Sequence, residues 1–140
     1  MLFNSITEWI LKSPFHGLIS TNTMIVYYTG QKSGKAYHTP IDYRRMGDVL
    51  LTISWKNRTW WRNFRASTQV KILLAGHLID AHMQATEDDA TVMEGLNQFI
   101  GGNPRAAHIF NIYVGKDGQL DTESLRKAAA KRVVVRTTLK

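Results

Sequence analysis

The stretch from 69 to 84, QVKILLAGHLIDAHMQ, limits the fold more than any other. Val70, Ile72 and Leu74 point one way, Gly76 lies where the chain must reverse, and Ile79, Ala81 and Met83 resume the alternation. A period of two on both sides of a short glycine turn is the pattern of a β-hairpin with one buried face. The chain therefore contains antiparallel sheet, and other segments extend it. TMIVYYTG is rich in β-branched and aromatic residues, which suit strands. Tyr37, Thr39, Ile41 and Tyr43 alternate with His38, Asp42 and Arg44, predicting one half-buried strand. Gly47-Asp48 turns the chain into VLLTIS, and VVVRTTL supplies a last, buried strand.

Helical signals lie between and before these strands. Leu2, Ile6, Trp9 and Ile10 recur at helical spacing opposite Asn4, Ser5, Glu8 and Lys12, predicting an amphipathic helix over about 2–13 that ends at Ser13-Pro14. RTWWRNFRAS reads as one short helix. Thr86 with Asp89 resembles a capping arrangement, opening a helix through Val92, Met93, Leu96 and Phe99 that stops at Gly101-Gly102. Pro104 starts another short helix, and DTESLRKAAAKR is helical by propensity. The expected fold is a single α+β domain over 1–140, with an antiparallel sheet of about six strands that curls into a barrel and helices packed on it.

Cysteine is absent, which removes disulfides, thiolate metal sites and cysteine nucleophiles together. No apolar run approaches the roughly 20 residues that a membrane-spanning helix needs. The first residues carry no basic region or cleavage site of a secretory signal, so a cytoplasmic location is expected. The apolar face of 2–13 should cover the barrel and allows weak peripheral contact with anionic membranes. With 18 Lys+Arg against 11 Asp+Glu the net charge is +7. That field favours anionic partners: nucleic acid, acidic lipid, or a phosphorylated or carboxylated ligand.

Motifs for nucleophilic, zinc-dependent and dinucleotide chemistry are missing. The five histidines have no tight ligand spacing, and His77 and His82 should face opposite sides of a strand pair, so no metal is expected. If the chain is an enzyme, a cofactor supplies the reactivity. The turn at 31–36 is the best anion candidate: Gly34 permits positive φ, Lys32 and Lys35 add charge, and Ser33 adds a hydroxyl. A solvated hairpin turn has the same composition. Along 58–65, helical spacing places Arg58, Arg62 and Arg65 on one face and Trp60, Trp61 and Phe64 on an adjoining one. Consecutive tryptophans diverge by about 100° on a helix, so one of the two is free to wall a pocket and stack on a planar ligand.

In register, these pieces resemble the deazaflavin-dependent nitroreductase family, also described as quinone reductases using coenzyme F-420. That family carries Gly-Arg-Lys-Ser-Gly-x-x-Arg-x-x-Pro, a strand ending in Ser, then Trp-Tyr-x-Asn-Leu and a break of small residue and proline. Here the same order stands as Lys32-Ser33-Gly34, Pro40, Ser54, Trp60-Trp61-Arg62-Asn63-Phe64 and Ala66, within about residues 22–83. The family's two arginines are Gln31 and Tyr37 here, and its glycine-rich loop after the serine is shortened to WKNR. Lys32, Lys35, Arg58 and Arg62 are the cations left to compensate.

The resemblance implies the split β-barrel shared with flavin-binding pyridoxamine-phosphate-oxidase-like proteins. It implies coenzyme-binding roles for Lys32, Ser33, Gly34, Lys35, Thr39, Pro40, Ser54, Trp55, Trp61, Arg62 and Asn63, with Ser54 also hydrogen-bonding the ring or substrate as the catalytic candidate. Because the family varies the second aromatic, Trp60 is assigned to packing and Trp61 to the pocket rim. The implied activity is hydride transfer from reduced coenzyme F-420, or from FMN, to a small hydrophobic quinone, nitro or other unsaturated acceptor, by a monomer or homodimer. A non-catalytic binder of flavin, deazaflavin or haem is the alternative. A nucleic-acid partner is not expected, since positive net charge is shared by many unrelated proteins.

Overall fold

The computed structural model describes residues 22–139, so the helix predicted over about 2–13 lies outside the described residues. Seven antiparallel strands form one sheet: β1 (Thr23–Thr29), β2 (Ala36–Asp42), β3 (Arg44–Met46), β4 (Val49–Trp55), β5 (Thr68–Leu74), β6 (His77–Thr86) and β7 (Arg132–Leu139). Their spatial order is β2-β1-β5-β6-β7-β4-β3. The two edge strands, β2 and β3, are separated in sequence only by Tyr43. A sheet whose opposite edges are joined by one residue must curl round on itself, and this makes the barrel. The expected single strand through Arg44 is therefore two, and the sheet has seven strands where about six were expected. Tyr43 donates its N–H to the Asn22 carbonyl at 2.8 Å instead of to either ladder, and Thr52 Oγ1 donates to the Asp42 carbonyl at 2.8 Å.

The hairpin that dominates the sequence forms in the expected register, with Ile72 opposite Ile79 and Val70 opposite Ala81. Its two turn residues, Ala75 and Gly76, both have positive φ (49° and 82°), which matches the right-handed twist of the flanking strands. Alternate residues of the strands fill the barrel interior: Met24, Val26, Val70, Ile72, Met83, Val133 and Val135 meet there with Trp61 and Phe64. The opposite face of β4 and β7 packs against α1 (Asp89–Ile100), α2 (Pro104–Ile109) and α3 (Thr122–Ala129) through Leu51, Val92, Leu96, Ile100, Ala129 and Val134.

Two local readings change. Helix α1 is capped by Asp88, whose carboxylate accepts from Thr91 N at 3.0 Å, and not by Thr86, which β6 retains. The ladder with β7, where Thr86 lies opposite Val134, holds that residue in the sheet. The short helix expected in RTWWRNFRAS is a five-residue 3-10 helix, Trp60–Phe64.

Candidate functional site

The chain reverses between β1 and β2 through Gln31-Lys32-Ser33-Gly34, closed by Gly30 N–H to the Lys35 carbonyl at 2.8 Å and Gly34 N–H to the Gly30 carbonyl at 2.9 Å. Gly34 has φ +69°, as the sequence reading required. Lys35 N–H donates to Ser33 Oγ at 3.2 Å, and Gln31 N–H to Asn63 Oδ1 at 2.9 Å. Most of the turn's amides are thus engaged within the protein, leaving those of Lys32 and Ser33 to receive a ligand. Lys32 and Lys35 are exposed, and neither forms an ion pair among the described residues. Two ammonium groups and two amides still fit a phosphate or carboxylate, with charge contributing more than a backbone cradle.

Tyr37, where the resembling family has arginine, stacks on Tyr28 with ring centroids 5.7 Å apart and shares a hydrogen bond with Ser33 Oγ at 3.1 Å. The tyrosine therefore braces the turn and carries no charge to it. Thr39 shares a hydrogen bond with Tyr28 Oη at 3.2 Å, and Pro40 lies opposite Ile25 in the ladder, so both are built into the strand pair beneath the turn.

Asn63 joins the two stretches that the sequence singled out. Its side-chain amide donates to the Trp60 carbonyl at 2.9 Å while its oxygen accepts from Gln31, fastening the 3-10 helix to the turn. The tryptophan faces are the reverse of the expected ones. Trp61 is 1% exposed inside the barrel, with Nε1 lacking an acceptor, and Trp60 is half-buried against Phe64. A 3-10 helix turns by about 120° per residue, and here that sends the second ring inward. Arg62 and Arg65 lie over the Trp61 ring, at 5.6 and 5.2 Å from its centroid, and remain exposed.

Ser54 and Trp55 end β4 on opposite faces. Ser54, on the side of Leu50 and Thr52, is 6% exposed and donates to the Trp55 carbonyl at 3.3 Å. Trp55, 45% exposed, pairs across the ladder with Arg132, whose guanidinium carbon sits 3.3 Å above its ring centroid. Phe110 flanks the same guanidinium at 4.8 Å. Burial lowers the Arg132 pKa from the ordinary arginine value, yet the group stays charged at neutral pH. Three surface recesses reach Trp55: about 320 Å³ with Phe110, Tyr113 and Arg132, about 400 Å³ with Ile53, Phe99 and Arg132, and about 420 Å³ with Lys56, Asn57, Arg62 and Lys131. Arg62 thus joins Trp55, whereas Asn63 joins the turn. The sequence reading assigns Lys131 and Arg132 to the tail of a helix that in the structure ends at Ala129, and no local signal marks Phe110 as a neighbour of Arg132. Among the described residues, no group of three His, Cys, Asp or Glu side chains is placed to hold a metal, and no helix is long and apolar enough to cross a membrane.

No protein-family model matches the chain, and no curated protein matches it in sequence. Solved structures match it in fold. An F420-H2 dependent reductase (FDR-A) is 14% identical with a TM-score of 0.51, over 84% of this chain and 95% of that one. The FAD and heme binding protein from Mycobacterium smegmatis is 13% identical with a TM-score of 0.54, over 88% of this chain and 63% of that one. A structure described as a domain-swapped dimer is 15% identical with a TM-score of 0.52, over 96% of both chains. At such identities the likeness is one of architecture, and on that ground the chain has the split-barrel fold of flavin-binding proteins.

Proposed function

We propose that the chain binds a flavin-like coenzyme bearing acidic groups, F-420 or else FMN, and acts as a small oxidoreductase on a quinone, nitro or other unsaturated acceptor. The observation that carries this reading is the Gln31–Asn63 hydrogen bond. It fastens the lysine-bearing turn to the tryptophan-bearing helix, so two separate motifs of the resembling family form one unit. The fold likeness to an F420-H2 dependent reductase supports the same reading. When bound, the coenzyme would supply the hydride. Lys32 and Lys35 would hold its acidic groups, Asn63 would keep the turn in place, and Ser54 would offer a hydroxyl at the end of β4. Trp61 in this reading supports the site from inside the barrel.

Equilibrium titration of the purified protein with oxidised F-420 and with FMN, followed by turnover of a quinone with the reduced form of whichever binds, tests the proposal. Saturable binding with turnover is expected; saturable binding without turnover of any acceptor would favour the second reading, a non-catalytic carrier. That second reading draws on the likeness to a FAD and heme binding protein. Absence of binding to either coenzyme would overturn the first reading, and absence of haem binding as well would overturn the second.

A further inference from the structure

We infer that the recess of about 420 Å³ between Trp55, Lys56, Asn57, Arg62 and Lys131 is an anion site in its own right, separate from the β1–β2 turn and suited to a phosphate-type group. Its cations come from two stretches far apart in the sequence, 56–62 and the residue before β7. Lys56 and Asn57 are the central residues of a tight turn closed by Arg58 N–H to the Trp55 carbonyl at 3.2 Å. Lys131 precedes β7 and is tied to that turn by Lys56 N–H to its carbonyl at 2.9 Å. Arg62 belongs to the 3-10 helix, where the Trp61 ring holds it.

No carboxylate lines this recess, and none of its three cations forms an ion pair among the described residues. Other cations of this protein do pair: Arg65 with Glu87, Lys71 with Asp80 and Arg126 with Glu123. Lys131 also borders the neighbouring recess on α3, which contains Asp121 and Glu123, whereas Lys56 and Arg62 line only the recess without acid. Like charges brought together without a counterion oppose folding. An anion with several acceptor oxygens would relieve that repulsion and take charge-assisted hydrogen bonds from ammonium, guanidinium and the Asn57 amide. Arg132 covers one face of Trp55 but does not line this recess, which therefore meets the ring away from the stacked guanidinium. A planar group joined to the phosphate has that part of Trp55 to lie against. The site does not depend on the coenzyme reading, since inorganic phosphates answer to the same chemistry.

The test uses inorganic pyrophosphate, FMN and riboflavin as probes, with NMR of the Trp55 indole N–H and thermal melting as readouts. Pyrophosphate should bind saturably, move the Trp55 resonance and raise the melting temperature. K56Q/K131Q, two substitutions at the surface, should weaken this about tenfold or more, the loss expected from a charged hydrogen bond. K32Q/K35Q should leave it within about twofold. FMN should displace pyrophosphate from this recess more effectively than riboflavin does, as followed at the Trp55 resonance, and lose that advantage in K56Q/K131Q. Absence of saturable pyrophosphate binding, or binding insensitive to K56Q/K131Q, would overturn the inference. Pyrophosphate binding without flavin binding would uphold the recess and overturn the coenzyme reading. FMN binding that is lost in K32Q/K35Q, with no saturable pyrophosphate shift of the Trp55 resonance, would do the reverse.

Discussion

Inside the barrel, Trp61 meets Phe64 and the strand residues of the interior, so truncating it opens a large hole among side chains that cannot collapse. Trp61→Ala should cost about 3–5 kcal/mol in urea denaturation, the range for a buried large aromatic. Trp60→Ala should cost clearly less, because that ring is half in water. Helical geometry correctly said that the two rings diverge. It could not say which goes inward, since that depends on a 3-10 winding set by how the segment docks onto β6. A second residue-scale test lies at Gly30, where an added Cβ would stand 2.7 Å from Tyr37 Cε2 and 2.8 Å from Ser33 Oγ. Gly30→Ala should displace the tyrosine, destabilise the fold by about 1–3 kcal/mol as overpacking does, and weaken coenzyme binding through the turn. Denaturation and titration of the same variant would check both effects.

At the scale of elements, caps decide where helices begin and couple the fold to pH. Asp88 accepts from Thr91, and Asp121 from Ser124; these hydrogen bonds favour the ionised carboxylates and hold both pKa values below the ordinary aspartate range. A depressed carboxyl pKa adds stability that is present above the unfolded pKa, near pH 4, and is lost as pH falls through the folded value. Asp88→Asn keeps the cap acceptor without the charge. Its melting temperature should stay near that of the parent at pH 7 and fall less steeply below pH 4, whereas Asp88→Ala should melt lower at both. Melting curves from pH 7 to 2 on the three proteins provide the check. Strand periodicity was legible at this scale, above all in the β5–β6 hairpin, because half-burial writes itself into alternate residues. The exact cap was not, because Thr86 and Asp88 both suit an N-cap and only the β6–β7 ladder excludes the first.

Across the whole molecule, closure of the barrel rests on the joint between β2 and β3, where Thr52 Oγ1 holds the Asp42 carbonyl. Thr52→Val keeps the shape and leaves that carbonyl without its donor, so a loss of about 1–3 kcal/mol is expected. Hydrogen exchange should then quicken in β2 and β3 before the β5–β6 hairpin. The sequence pattern announced antiparallel sheet with helices packed on it, but Tyr37 to Arg44 alternates without a break. The division at Tyr43 is a property of closure and cannot be read locally. For the same reason the recess at Trp55 was only partly legible: Lys56 and Arg62 are near in sequence, but Lys131 joins them because β4 and β7 are neighbours.

Pro40 has a consequence beyond any ligand. It sits in the middle of β2, which borders β1 on one side only, at the margin of the sheet. An open margin is where a second chain can add a strand and seed aggregates, and proline offers such a newcomer no N–H. His38 and Asp42, both exposed on the same strand, add polar side chains to that margin. Pro40→Val would make the stretch AYHTVID a continuous run of hydrogen-bonding backbone, and faster clouding on mild heating, recorded as light scattering at equal melting temperature, is the expected result. One ring in the strand would thus govern how long a solution of this protein stays clear.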